Sequence, residues 1–175
     1  MENHDKVQGN MITNWYSTNI NPVHLSRRLR IAYALWLWET VNNQDELPSL
    51  EQIQSARLYD DISPYTAIAE GRRGGDACAF TYASVGKKID EVYGRELTAL
   101  PLGEVLTDAG RTLAAESFAA LRKERRPVHL GVQGSPVLSG AIQMIVIPLR
   151  HDDDEMELAG LVYDYKDPTE LHNSA

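Results

Sequence analysis

Residues 107–132 read TDAGRTLAAESFAALRKERRPVHLGV, and this stretch decides the fold. Thr107 or Asp108 can cap a helix, because their side-chain oxygens accept backbone N–H groups at a helix start. The helix is expected to run to about Arg125, where its basic last turn suits the helix dipole. Pro127 ends it, and a strand follows directly. The stretch therefore predicts one long helix that leads into a β-sheet.

Strand-like runs lie on both sides of this helix. Residues 65–69 and 77–84 precede it, and residues 128–132, 140–149 and 157–165 follow it as a meander. Between the first pair and the long helix, short helical pieces are broken by glycine and proline. We therefore predict an α+β domain with a five-stranded antiparallel sheet, short helices and one long connecting helix.

The N-terminal part of the chain predicts a separate helical segment. Residues 1–21 have no periodicity and are expected to be a flexible arm, while 22–58 form a helix, a linker and a shorter helix. The sheet domain is then 59–166, and 167–175 is a tail. Between Ile31 and Trp38 the first helix is apolar almost all round, so one contact surface cannot cover it. We expect a homodimer, with an interface formed by Ile31, Leu35, Trp38 and Val41.

Composition excludes several classes of protein. The chain has 175 residues, which suits one domain, and 17 basic against 25 acidic residues give a net charge of -8. This charge repels phosphate, so no nucleic-acid partner is expected. A lone Cys78 excludes a disulfide framework, and we expect it to be a small core residue within a strand. No apolar run suits a signal peptide or a membrane span, so we expect a soluble, cytoplasmic protein.

Catalytic and metal motifs are missing from the sequence. No nucleophile elbow, P-loop or dinucleotide fingerprint occurs, and the five histidines are scattered, so we expect no enzyme. The acidic run 152–155 beside His151 lacks the ligand spacing of an EF-hand, and we interpret it as a solvated hairpin tip. No metal site is expected.

Short motifs relate the chain to a known family. Residues 80–86 (FTYASVG) and 93–98 (YGRELT) resemble the strand-to-short-helix region of PAS domains, and 123–128 (KERRPV) resembles the entry of their long helix into the third strand. Trp36, Trp38 and the LPS linker at 47–49 are similar to features of small stand-alone PAS proteins of alphaproteobacteria, mostly of unassigned function. Where that group usually has glycine after Glu-Leu-Thr, this chain has Ala99.

The resemblance implies a sensory or regulatory signalling protein. It would bind a small molecule in its core, dock a partner such as a kinase or response regulator, or do both. The alternative is a homodimeric interaction module that binds no ligand. The expected cavity residues lie between the long helix and the sheet: Phe80, Tyr82, Tyr93, Ala114, Phe118, Leu121, Ile142, Met144 and Tyr163.

The cofactors of other PAS proteins do not fit this sequence. The photoactive flavin type needs an Asn-Cys-Arg motif after the second strand, and Cys78 is expected inside that strand instead. Haem-binding members commonly carry a histidine on the long helix, which has none here, and His129 reads as a surface residue of the next strand. We therefore expect neither haem nor a photoactive flavin.

Overall fold

The computed structural model of the chain describes residues 7–8, 11–12, 14–133 and 141–165. The helices are α1 (Arg27–Asn42), α2 (Leu50–Gln54), α3 (Tyr59–Ile62), α4 (Lys87–Tyr93) and α5 (Asp108–Glu124). The strands are β1 (Val7–Gln8), β2 (Met11–Ile12), β3 (Trp15–Ser17), β4 (Thr66–Arg72), β5 (Thr81–Val85), β6 (Val128–Gln133), β7 (Ala141–Leu149) and β8 (Met156–Asp164). Single-turn 3-10 helices occur at Pro22–His24, Ser63–Tyr65, Ala77–Ala79 and Leu102–Val105.

Within the part of the chain that the structure describes, one antiparallel sheet of six strands organises the fold. Its strand order is β3-β6-β7-β8-β4-β5, so the C-terminal meander returns to pair β8 with β4. β1 and β2 form a separate two-stranded pair. The predicted α+β class with an antiparallel sheet is confirmed, but the sheet has six strands where five were expected.

The sixth strand comes from the predicted flexible arm. Trp15–Ser17 pair antiparallel with β6, and Tyr16 is buried in the core. The Trp15 indole lies against Gly131, where an added Cβ would come within 2.4 Å of the indole nitrogen. A residue without a side chain in β6 thus makes room for the arm. Residues 15–17, which the sequence predicts to be part of a flexible arm, form the edge strand of the sheet.

Helices cover both faces of the sheet and enclose two cores. One core lies between α5, the short helices and one sheet face, and the other lies between α1, α2, α3 and the opposite face. Since side chains alternate along a strand, Met144 and Val146 of β7 belong to the first core, while Ile145 and Ile147 belong to the second. This double covering explains why β7 is apolar at nearly every position.

The leading helix packs against its own chain. Ser26 caps it, with the side-chain oxygen accepting from the Leu29 amide at 3.5 Å, so α1 begins at Arg27 and not at Pro22. On its inner side, the Trp36 indole nitrogen donates to the Pro148 carbonyl of β7 at 2.8 Å. Segment 22–58 is therefore joined to the sheet by a buried core.

Candidate functional site: a cavity between α5 and the sheet

A cavity of about 60 Å³ lies in the first core. Its walls come from the sheet, from α5 and from the 3-10 turn that precedes α5. The lining residues are Tyr82, Tyr93, Leu102, Val105, Leu106, Thr107, Gly110, Leu113, Ala114, Ser117, Phe118, Leu130, Val132, Ile142, Met144, Val146, Leu161 and Tyr163. A space of this size holds several water-sized groups, since one needs about 10–15 Å³.

Small residues on α5 create this space. Gly110, Ala114 and Ser117 repeat at helical spacing on the side that faces the sheet, and all three line the cavity. The side chain of Thr107 caps the helix by accepting from the Gly110 amide at 3.1 Å. The Ser117 hydroxyl donates to the Ala114 carbonyl at 3.2 Å. Both hydroxyls are thus engaged with the helix backbone.

The other polar groups of the described lining are phenols. Tyr82, Tyr93 and Tyr163 all line the cavity, and their hydroxyls lie close enough to affect one another's pKa. Burial raises the pKa of Tyr82 and of Tyr163 above the ordinary value of 10.0. Both phenols are therefore neutral at physiological pH, and they can donate as well as accept a hydrogen bond.

Seven of the nine cavity residues named from the sequence line this space. They are Tyr82, Tyr93, Ala114, Phe118, Ile142, Met144 and Tyr163. Phe80 and Leu121 are buried in the same core but do not line the cavity. Phe80 precedes β5 and packs edge-on against Phe118, with ring centroids 5.2 Å apart, while Leu121 lies one turn beyond Phe118.

Sequence reasoning missed one wall of the cavity. Leu102, Val105 and Leu106 line it from the 3-10 turn and the residue after it. Their apolar spacing of three and four residues was a usable signal. It falls in a stretch broken by Pro101 and Gly103, for which the sequence predicts only short helical pieces.

The four predicted interface residues separate into different environments. Leu35 is buried in the second core with 7% of its surface exposed, so its contacts lie within the chain. Ile31 is half-buried against the same core. Trp38 and Val41 are each 65% exposed on the outer side of α1. Trp38 and Val41 are therefore accessible to a partner, whereas Leu35 is not.

Cys78 lies outside the predicted strand. It is half-exposed in the 3-10 turn before β5, so its assignment as a core strand residue is wrong. Asp76 caps that turn by accepting from the Cys78 amide at 3.0 Å, and this cap shortens the strand. Burial, together with the charge of Asp76, raises the pKa of the Cys78 thiol, which disfavours the thiolate.

The acidic run at His151 forms the turn between β7 and β8, as predicted. Asp153 donates its amide to His151 Nδ1 at 2.9 Å and accepts from the Glu155 amide at 2.9 Å. Nε2 of the same histidine lies 2.6 Å from a Glu70 oxygen. Within the described residues, no three His, Cys, Asp or Glu side chains cluster closely enough to hold a metal ion.

His129 projects from β6 on the face away from the cavity. Its ring meets the Trp15 ring edge-on, with centroids 4.7 Å apart, and Nε2 lies 3.1 Å from the Gln143 side-chain oxygen. Burial lowers its pKa below the ordinary value of 6.5. The histidine is therefore a packing residue beneath the arm, and it does not reach the cavity.

Comparison with known proteins gives no assignment. The chain matches no protein-family model, and no curated protein is significantly similar to it. Among the described helices, none is long and apolar enough to cross a membrane.

Proposed function

We propose that this chain is a PAS-type sensory or regulatory protein that binds a small molecule in its core and signals through a docked partner such as a kinase or response regulator. The observation that carries the proposal is the apolar cavity between α5 and the sheet, with phenol hydroxyls as its main polar groups. Mostly apolar concavities with a few convergent polar groups are the usual form of small-molecule sites.

The order of elements supports the PAS-type part of the proposal. The chain has the element order expected of the PAS domains that its motifs resemble: two strands (β4 and β5), short helices, the long helix α5 and the meander β6–β8. Ala99, at the position where glycine is usual in that group, has a φ of 74°. Glycine adopts this left-handed conformation without steric cost, so the backbone at this position suits the residue expected there.

A route from the cavity to the surface runs through β7. Met144 and Val146 face the cavity, while the next positions along β7 face α1. The Trp36 indole binds the Pro148 carbonyl on this strand. A ligand that shifts β7 would therefore act on α1, whose outer side carries the exposed Trp38.

Xenon tests this proposal without knowledge of the ligand, because it enters apolar cavities of this kind. The full chain is labelled at its methionine methyl groups and tryptophan indole N–H groups, and NMR spectra are recorded with dissolved xenon. We expect saturable shifts at the Met144 methyl and at the Trp36 indole, each assigned with a single substitution. A shift at Met144 without one at Trp36 would contradict the signalling route, and no shift at either would contradict the cavity.

A ligand-free homodimeric interaction module is the second candidate. The observation that favours it is the exposed apolar set Leu37, Trp38 and Val41 on the outer side of α1. In this case the chain forms a dimer in light scattering, Trp38→Glu makes it monomeric, and xenon leaves Met144 unchanged. A monomeric wild-type chain would refute this candidate.

A further inference from the structure

We infer that the cavity selects a compact, uncharged molecule of about six or fewer non-hydrogen atoms that carries one hydrogen-bond-accepting oxygen, such as a small ketone. The inference rests on the proposed function and narrows its ligand to a chemical class. Three observations carry it: the lack of charged side chains among the described lining residues, the phenol hydroxyls in the lining, and the volume of the cavity.

The lining excludes a charged ligand. Among the lining residues that the structure describes there is no Asp, Glu, Lys, Arg or His. An ionised carboxylate or ammonium placed there would lose its water and gain no opposite charge, which costs far more free energy than a small ligand recovers by packing. The walls thus favour a neutral molecule whose surface is mainly apolar.

The phenols supply a donor. Tyr82 and Tyr163 both line the cavity, and each phenol carries one O–H; even where one of them donates to the other, the second O–H can donate to a ligand. The Ser117 hydroxyl already donates to the Ala114 carbonyl, whereas the Thr107 oxygen accepts from the Gly110 amide and this residue is only half-buried. An accepting oxygen on the ligand therefore pairs best with the phenols, while its carbon skeleton lies against the aliphatic walls.

The volume limits the size of the ligand. At about 10–15 Å³ for each water-sized group, the 60 Å³ cavity takes roughly four to six such groups. A branched ketone with five carbons and one oxygen lies at the upper end of this range.

Three probes of nearly the same shape test the inference. They are 3-methyl-2-butanone, its alkene isostere 2,3-dimethyl-1-butene, and the anion isobutyrate. Each is titrated into the full chain to about 50 mM where solubility allows, since ligands this small bind in the millimolar range. The methyl signal of Met144 reports on the cavity, and that of Met156 is the internal reference, because Met156 begins β8 at the far hairpin and does not line the cavity.

We expect the ketone to shift the Met144 signal saturably and to bind about fivefold more tightly than the alkene, with no binding of isobutyrate. Tyr82→Phe and Tyr163→Phe should each weaken the ketone about fivefold and leave the alkene unchanged. The matched control is Tyr33→Phe, since Tyr33 is equally buried but belongs to the core on the other face of the sheet.

The remaining outcomes separate the inference from the function on which it rests. Three outcomes would refute the ligand class without refuting the proposed small-molecule sensor. They are equal affinities for the ketone and the alkene, tighter binding of isobutyrate than of the ketone, and a ketone affinity that neither phenylalanine variant changes. If none of the probes shifts Met144 more than Met156, both the ligand class and the small-molecule sensor are refuted.

Discussion

Replacing Ala114 by leucine tests whether the cavity is open space. Ala114 lines the cavity from α5, opposite the sheet. Leucine adds three carbons, each of which contributes about 0.8 kcal/mol when buried. Ordering the longer side chain costs about 0.5–1 kcal/mol. We therefore expect Ala114→Leu to raise the free energy of unfolding by about 1.5 kcal/mol, given that the 60 Å³ cavity receives the new atoms.

Urea denaturation followed by circular dichroism measures this change. The matched control is Ala115→Leu, because Ala115 is the next residue of the same helix and is exposed. The control has the same difference in helix propensity and should stay within about 0.5 kcal/mol of wild type. A loss of more than about 1 kcal/mol for Ala114→Leu relative to the control would refute the reasoning, because it would mean that leucine is forced into a filled core.

Three further predictions concern the backbone, α1 and the phenols. Ala99→Gly should raise the free energy of unfolding by about 0.5–1 kcal/mol in urea denaturation, because Ala99 has a positive φ. The control, Ala119→Gly at an exposed position of α5, should lower it by about 1 kcal/mol. A loss of stability in Ala99→Gly as large as that in the control would contradict backbone strain at Ala99. Trp38→Glu should convert a dimer to a monomer in light scattering with unchanged unfolding, whereas Leu35→Ala should cost about 2–5 kcal/mol, since Leu35 is buried. If the Trp38→Glu variant is still a dimer, the outer side of α1 is not the dimer interface. Because burial raises the pKa of Tyr82, the folded phenol keeps its proton where the unfolded one loses it; stability should therefore hold up to about pH 10 and fall above it, and Tyr82→Phe should reduce that slope by up to about 1.4 kcal/mol per pH unit. An unchanged alkaline slope in this variant would show that Tyr82 is not desolvated.

Local patterns were sufficient to predict much of the sheet and of the cavity. Helical spacing placed Ala114 and Phe118 on one face of the long helix, and strand alternation placed Ile142 and Met144 on the facing side of β7. Both rules depend only on neighbours along the chain. They identify which side of an element is buried, and here the two buried sides enclose the cavity.

Contacts between distant segments were not predictable in this way. The pairing of Trp15–Ser17 with β6 joins residues more than a hundred positions apart, and a strand of three residues has too little alternation to be recognised. Leu35 and Trp38 are both apolar and three residues apart on α1, yet only Leu35 faces the sheet. The sequence of a helix that is apolar all round does not say which side the chain itself covers.

The most direct test of the account compares the Met144 methyl signal of wild type with that of Ala114→Leu during titration with 3-methyl-2-butanone. The account predicts a saturable shift in wild type and none in the variant, because leucine fills the space that the ketone would occupy. The same gradual, unsaturated drift in both proteins would contradict a small-molecule site between α5 and the sheet.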